Sequence, residues 1–181
     1  MSELKAIQDG LWVQSLPPSL RLQDYRLIAF DMDSTLINIE CIDEMAARVG
    51  KAREVAAITE AAMLGEITDY KQSLRQRVAL LKDAPVGIMQ EVYESRLQLN
   101  PGVERLVEVC RRSGLYTLIV SGGFDYFTQR LQKRLGIHAT RSNQLEIMNG
   151  HLTGRLVQQP WGDICDGEEK KRMVFETAIQ L

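Results

Sequence analysis

Residues 27–36 read Leu-Ile-Ala-Phe-Asp-Met-Asp-Ser-Thr-Leu, a short apolar run that ends in two aspartates one residue apart. Such a run predicts a strand buried on both faces, at about residues 26–30. Open parallel α/β sheets place their ligand sites at the carboxyl ends of strands, where Asp31 and Asp33 then lie. Two neighbouring carboxylates repel each other unless a cation or a shared proton relieves them, so the pattern favours a divalent cation with nucleophilic or acid–base chemistry. A strand end merely capped by aspartates is the alternative interpretation.

The composition restricts the class of protein. The chain has 181 residues, of which 45% are hydrophobic and 25% charged, and its formal net charge is −2. These values indicate one globular domain, or one core with a smaller insert, and the mildly acidic balance argues against nucleic-acid binding. No apolar stretch has the length of a membrane span, and the N-terminus lacks the form of a signal peptide. Three cysteines without CxxC spacing argue against a disulfide framework, so we predict a cytoplasmic protein.

The apolar patterning predicts an α/β core that is interrupted by a helical insert. Residues 1–24 are interpreted as an N-terminal extension. After the first strand the pattern becomes helical, with a helix that ends at Gly50 and further helices at about 52–63, 69–82 and 86–97.

The core is predicted to resume at Asn100, which is expected to cap a helix that ends at Gly114. A second apolar strand follows at 116–120, and then a helix at about 126–135. The dipeptide Asn149-Gly150 between two apolar runs predicts a β-hairpin over 144–157. A last helix is expected over 167–181.

Two further motifs follow predicted strands or open predicted helices. Ser121-Gly122-Gly123, after the second strand, offers a hydroxyl and closely approaching backbone N–H groups, which suit an anion such as phosphate. A tight turn is the alternative interpretation. Lys170 and Lys171 open the last helix, and taken alone they favour a solvated helix surface.

In this order, the motifs resemble the haloacid dehalogenase-like hydrolase superfamily and, within it, the phosphoserine phosphatase family. Four segments carry the resemblance: DMDSTLINIECIDE at 31–44, SLRQRVALL at 73–81, VSGGF at 120–124 and LTG at 152–154. The resemblance extends from about residue 25 to the C-terminus. It implies a Rossmann-like parallel-sheet core formed by 25–39 and 100–181, with a helical cap formed by 40–99.

The resemblance also implies roles for the residues of the core. Asp31 would be the nucleophile that forms an aspartyl-phosphate, and Asp33 would protonate the leaving oxygen and then take a proton from water. Mg²⁺ would be held by the Asp31 carboxylate, the Asp33 backbone carbonyl and a phosphate oxygen. Ser121 and Gly122 would hold the phosphoryl oxygens. Lys170 would orient Asp31, although a shift of one residue to Lys171 is left open.

Substrate choice is assigned by the resemblance to the helical insert. Glu40 would meet the ammonium group of the substrate, and Arg77 would bind its carboxylate in a bidentate pair. The expected partner is therefore a small molecule, O-phosphoserine, with no nucleic acid and no membrane, and a homodimer is left open. Met63 is predicted either to line the closed pocket or to belong to the core.

One element of the family pattern does not occur in residues 1–181. The family continues into a strand that ends in Gly-Asp-Gly-x-x-Asp, which supplies a third metal carboxylate. Three explanations stay open: a chain shortened relative to the natural product, which we favour, a partner subunit that completes the sheet, or a degenerate paralogue. The alternative functions are accordingly a phosphoserine- or phosphate-binding paralogue without turnover, or a phosphatase or phosphotransferase for another small phosphomonoester.

Overall fold

A computed structural model describes residues 5–9, 11–13 and 21–181, and all statements below concern these residues. The strands are β1 Lys5–Gln8, β2 Leu11–Val13, β3 Leu27–Phe30, β4 Tyr116–Phe124, β5 Ala139–Asn143, β6 Leu145–Met148 and β7 His151–Leu156. The helices are α1 Cys41–Arg48, α2 Ala52–Met63, α3 Tyr70–Ala79, α4 Gly87–Ser95, α5 Val103–Arg112, α6 Asp125–Leu135 and α7 Gly167–Gln180. β1 and β2 pair antiparallel within the segment interpreted as an N-terminal extension, and residues 1–4, 10 and 14–20 of that segment lie outside the described part.

A parallel sheet with the strand order β3-β4-β5 forms the centre of the core. β3 lies beside β4 in parallel register, from Leu27 opposite Tyr116 to Phe30 opposite Ile119. β4 is buried from Thr117 to Ser121, as its β-branched and apolar sequence predicts. Helices α5, α6 and α7 contact this central strand. The α/β class with a parallel sheet is thus confirmed.

The third strand of the sheet is not predicted by the sequence. β5 has the sequence Ala-Thr-Arg-Ser-Asn, which lacks both an apolar run and a regular alternation. It pairs in parallel with β4, and its last two residues are buried. Its strand conformation therefore depends on the neighbouring strand rather than on its own side chains.

The predicted hairpin is confirmed by the antiparallel pair β6 and β7. Asn149 and Gly150 both have positive φ, at 51° and 77°. This is the backbone conformation that a tight hairpin turn requires, and asparagine and glycine adopt it with the least strain.

Four helices, α1 to α4, lie in the chain between β3 and α5. α1 contacts both α2 and α4, and it also touches the central strand β4, while α3 packs against β7. The helices agree with the predicted helical patterns to within a few residues. The assignment of 40–99 as a separate cap remains a prediction. None of the described helices is both long and apolar enough to cross a membrane.

Asn100 does not cap a helix as predicted. α5 begins later, at Val103, behind Gly102 with a left-handed φ of 85°. The Asn100 side chain instead donates from Nδ2 to the carbonyl oxygens of Thr35 (2.8 Å) and Ile37 (3.1 Å). It therefore joins the two chain segments that lead into and out of α1–α4.

Candidate active site

The seven residues predicted to form the site all line one cavity of about 200 Å³. The cavity lies at the carboxyl ends of β3 and β4, and α1, α3 and α7 contribute to its walls. The predicted residues that line it are Asp31, Asp33, Glu40, Arg77, Ser121, Gly122 and Lys170; the others are Ile42, Tyr70, Leu74, Gly123 and Phe124. The structure therefore brings the predicted residues together, and their individual roles remain predictions.

Asp31 follows the last residue of β3 and faces a lysine from the other end of the chain. Its Oδ2 lies 2.6 Å from Lys170 Nζ, and its Oδ1 accepts a hydrogen bond from the N–H of Met32 at 2.8 Å. Lys170 sits in the first turn of α7, where the side chain of Asp166 caps the helix by accepting from the N–H of Glu169. Lys171 is exposed, so Lys170 is the lysine that reaches Asp31.

Asp33 lies deeper and accepts at Oδ1 from the N–H of Cys41, at 2.9 Å. The pKa of Asp33 is raised to about 6, mainly by burial and to a smaller extent by the charges of Glu40 and Asp31, against the lowering effect of the hydrogen bonds from Cys41. Desolvation disfavours the carboxylate because water stabilises its charge better than the protein does. A carboxyl group with this pKa can both give and take a proton near neutral pH.

Asp33→Asn is expected to stabilise the metal-free protein at pH 7 but not at pH 4. Because the folded pKa of Asp33 (about 6) exceeds its ordinary value of 3.8, the native state binds more protons than the unfolded state between these values. Stability therefore falls as the pH rises from about 4 to about 6. The amide stays neutral and its oxygen can still accept from Cys41, so at pH 7 the variant should melt about 2–6 °C higher.

Calorimetric melting in EDTA at the two pH values measures this difference. Asp83→Asn is the matched control, since Asp83 is exposed and has a φ of 64° that asparagine also tolerates. A gain at pH 7 no larger than the gain at pH 4 would contradict the assignment of the raised pKa to Asp33.

Ser121, Gly122 and Gly123 lie within β4 rather than after its end, which corrects the sequence interpretation. The pairing of β4 with β5 shifts register between Val120 and Phe124, so the three residues form a bulge. Ser121 is buried (1% exposed), and its Oγ accepts a hydrogen bond from the N–H of Gly123 at 3.0 Å. The bulge turns the backbone of the strand into the cavity beside the two aspartates.

Gly123→Ala is expected to reduce both stability and activity, because a Cβ at this position would lie 2.5 Å from Asp33 Oδ2 and 2.8 Å from Met32 Cε. Overpacking of this kind costs about 1–3 kcal/mol of unfolding free energy. Displacement of Asp33 should also lower the turnover of O-phosphoserine, the expected substrate, about 10-fold. Urea unfolding and steady-state kinetics measure the two effects. Gly87→Ala is the control, since its Cβ would meet nothing within 4 Å, and equal losses in both variants would contradict the role of the bulge.

Glu40 and Arg77 supply opposite charges to the wall formed by α1 and α3. Glu40 stands at the N-cap of α1, and its Oε1 accepts from Ser34 Oγ at 2.7 Å. Arg77 lies in the last turn of α3, and its Nε is buried without a hydrogen-bond partner among the described residues. A buried donor without a partner costs about 1–3 kcal/mol. The arginine is thus suited to an anionic group that the cavity receives from outside.

Tyr70 is a wall residue that the sequence reasoning missed. Its hydroxyl lies against Gly122, so closely that a Cβ there would come within 2.0 Å of it. Burial raises the pKa of Tyr70 to about 12, so the hydroxyl stays protonated and can donate. The signal was present, since Tyr70, Leu74 and Arg77 recur at i, i+4 and i+7 and therefore share one face of α3.

Met63, by contrast, belongs to neither of the environments predicted for it. It is the last residue of α2 and is 84% exposed, and it does not line the cavity. The prediction failed because an apolar residue at the end of a helix can face the core or solvent, and the sequence does not show which.

The cavity offers carboxylate oxygens, the ligand type that a hard cation such as magnesium prefers. No group of three or more His, Cys, Asp or Glu side chains that could hold a metal occurs in the described residues. The carboxylate of Asp31 and the backbone carbonyl of Asp33 would supply two oxygens, and magnesium commonly binds through one or two carboxylates while phosphate oxygens and water complete its ligands. Asp31 is also half-exposed, so its oxygens are accessible from the cavity.

Comparison with known proteins agrees with this geometry. The family model of the haloacid dehalogenase-like hydrolases matches residues 28–180. The chain belongs to this family. A phosphoserine phosphatase from a Polaromonas species is 63% identical over 175 residues, which cover 97% of the chain and 74% of that protein.

Two solved structures of this family share the fold. A phospho-aspartyl intermediate analogue of phosphoserine phosphatase superposes with a TM-score of 0.74 at 35% identity. The superposition covers 86% of the present chain and 71% of the chain in that structure. A substrate-bound phosphoserine phosphatase complex superposes with a TM-score of 0.72 at 34% identity, covering 86% and 70%. The family's hydrolytic chemistry is thus found on this arrangement of strands and helices.

Proposed function

We propose that the chain hydrolyses O-phosphoserine to serine and phosphate through an aspartyl-phosphate formed on Asp31. The observation that carries this proposal is the cavity of about 200 Å³, which is lined by the Asp31–Lys170 pair and by Arg77, whose buried Nε has no partner among the described residues. Hydrolysis of a phosphomonoester requires a nucleophile beside a positive charge, which Asp31 and Lys170 supply. A substrate carboxylate requires a cationic hydrogen-bond donor, which Arg77 supplies. The names of the relatives support the same substrate.

The cavity offers a separate group to each charge of a phosphorylated amino acid. Lys170 and the bulge residues Ser121 and Gly122 lie beside Asp31 and would hold the phosphoryl oxygens. Arg77 would bind the carboxylate, and Glu40 would pair with the ammonium group. A sugar phosphate has neither of the last two charges, so it would leave both side chains unpaired.

The reaction would proceed in two displacements at phosphorus. The carboxylate of Asp31 attacks phosphorus, and the bond from phosphorus to the serine oxygen breaks while the carboxyl group of Asp33 gives that oxygen its proton. Asp33, now a carboxylate, then takes a proton from water as the water oxygen attacks phosphorus and the bond from phosphorus to the Asp31 oxygen breaks. Phosphate leaves, and Asp31 and Asp33 return to their starting states.

A metal ion completes the charge balance, because the phosphate dianion and the carboxylates repel one another. The phosphoserine phosphatases of this family are metal-dependent hydrolases, and Mg²⁺ is the ion we propose. Asp31 and Asp33 would hold it, and when bound it supplies positive charge to the phosphoryl oxygens. Lys170 contributes a second positive charge next to Asp31, at 2.6 Å from its Oδ2.

The test is phosphate release from O-phospho-L-serine by the chain, with Mg²⁺ and with EDTA. We expect metal-dependent release, with O-phosphoethanolamine, which lacks the carboxylate, as a much poorer substrate. Equal turnover of the two esters would contradict recognition of an amino acid. Binding of O-phosphoserine without any release would instead identify a binding protein, and transfer of the phosphoryl group to an added alcohol would identify a phosphotransferase.

A further inference from the structure

Asn143, the last residue of β5, has no role in the proposed reaction described above. It is 1% exposed and does not line the cavity. It lies opposite Phe124, while Arg141 lies opposite Val120. Three residues of β4, Ser121 to Gly123, therefore face one residue of β5, Ser142. This mismatch is the bulge that brings Ser121 and Gly122 toward the proposed position of the phosphoryl group.

A bulge removes backbone groups from the ladder of the sheet, and they need other partners. Asn143 supplies one, because its Nδ2 donates to the carbonyl oxygen of Gly122 at 2.7 Å. Its Oδ1 accepts from the N–H of Cys165 at 2.8 Å. One buried amide thus joins the bulge of β4 to the segment that leads into α7.

The first of these bonds sets the direction of a peptide group in the site. The carbonyl of Gly122 and the N–H of Gly123 belong to one planar peptide and point in opposite directions. With the carbonyl held by Asn143, the N–H donates to Ser121 Oγ at 3.0 Å. The hydroxyl of Ser121 accepts that bond, so its own hydrogen is available to donate to an anion.

The second bond sets the start of α7. Cys165 precedes Asp166, the N-cap residue whose carbonyl accepts from the N–H of Lys170 at 2.9 Å. A pair between Arg141 Nη1 and Glu169 Oε1, at 2.5 Å, fixes the same helix turn to β5. The place of Lys170 Nζ beside Asp31 therefore depends on the end of β5.

We propose that Asn143 is a positioning residue that holds the bulge and Lys170 in register, so that both reach the same phosphoryl group. The expected effect on O-phosphoserine rests on the proposed function, whereas the expected effect on the binding of inorganic phosphate does not. It acts through Ser121 and Lys170 rather than by touching the ligand.

Two variants separate the two bonds of Asn143. Asn143→Asp keeps an acceptor for Cys165 but loses the donor to Gly122, and Asn143→Ala loses both. We expect each to weaken binding of inorganic phosphate, measured by titration calorimetry, by about 10- to 100-fold, and to lower kcat/KM for O-phosphoserine similarly. L-serine, the proposed product, would bind through Glu40 and Arg77, so its inhibition constant should change less than about 3-fold.

Ser142→Ala is the matched control. Ser142 is the neighbouring buried residue of β5, and its hydroxyl pairs with Thr128 at 2.8 Å, away from the site. It should lose stability as the Asn143 variants do, yet keep its affinity for phosphate. Unchanged phosphate affinity in a folded Asn143→Asp protein would overturn the inference, and so would equal weakening of phosphate and L-serine.

A measurement on the unmodified chain keeps the inference testable if both Asn143 variants fail to fold. Inorganic phosphate should slow the amide hydrogen exchange of Gly123 and Cys165 together, because Asn143 links their segments. Slowing at Gly123 alone would contradict the link. If phosphate binds as expected but O-phosphoserine is not turned over, the proposed function fails and the role of Asn143 stands.

Discussion

Asp31→Asn is expected to lower phosphate release from O-phosphoserine by about 10⁴-fold or more, since it removes the proposed nucleophile. The amide cannot attack phosphorus to give an acyl phosphate. The fold should be retained, because the amide oxygen can still accept from the N–H of Met32. The lost pair with Lys170 is partly exposed and is worth at most about 1 kcal/mol.

Two measurements check this prediction. Steady-state phosphate release gives the loss of rate, and intact mass after an acid quench shows whether the phosphorylated protein forms. We expect the added phosphoryl mass in the unmodified protein and none in the variant. Asp83→Asn makes the same chemical change at an exposed turn and should leave both measurements unchanged. More than a tenth of the normal rate in Asp31→Asn would require another nucleophile.

The parts of the fold that could be predicted are those in which local sequence sets local structure. α2 occupies Ala52–Met63, the range that its pattern predicts. Helix ends at Gly50 and Gly114 follow from the same logic, because both glycines have a positive φ that other residues avoid. Four consecutive apolar residues predict the strand that precedes Asp31, but the predicted burial on both faces is wrong. Only Phe30 is buried and Ala29 is exposed, because β3 forms an edge of the described three-stranded sheet.

The parts that could not be predicted depend on contacts between distant segments. β5 is polar and becomes a strand because β4 lies beside it, yet it supplies both Arg141 and Asn143. The bulge of β4 is likewise a property of the pair of strands and not of Ser121 or the glycines alone. Asn100 has the sequence context of a helix cap, but the carbonyls of Thr35 and Ile37 lie within its reach and bind its side chain instead.

The sequence predicts a set of residues that do line one cavity, but it does not predict Tyr70 or Asn143, which pack against them. The motif positions converge on one cavity because each lies at or near the end of an element, and these ends meet at the same edge of the sheet. Tyr70 was not found because an aromatic residue at helical spacing more often belongs to a core. Its hydroxyl enters the cavity only because α3 packs with that face toward Gly122.

Arg77→Met is expected to raise KM for O-phosphoserine by about 10- to 100-fold while it leaves the fold intact or slightly more stable. Charged hydrogen bonds to a carboxylate contribute about 1.5–3 kcal/mol, which sets the size of the change. Methionine keeps the apolar stem of the side chain in place. It also removes Nε, a buried donor without a partner among the described residues, and this accounts for the expected gain in stability.

The result that identifies a role in substrate recognition is a difference between two esters. KM for O-phosphoethanolamine, which has the ammonium group but no carboxylate, should change less than about 3-fold in Arg77→Met, because that ester makes no bond that the substitution removes. Arg53→Met, an exposed arginine of α2 outside the cavity, should leave both KM values unchanged. If KM rose equally for both esters, Arg77 would act by holding α3 in place. A rise confined to O-phosphoserine, together with an unchanged or higher melting temperature, means that Arg77 Nε, which has no partner among the described residues, is retained at a cost in stability because the substrate carboxylate pairs with the guanidinium.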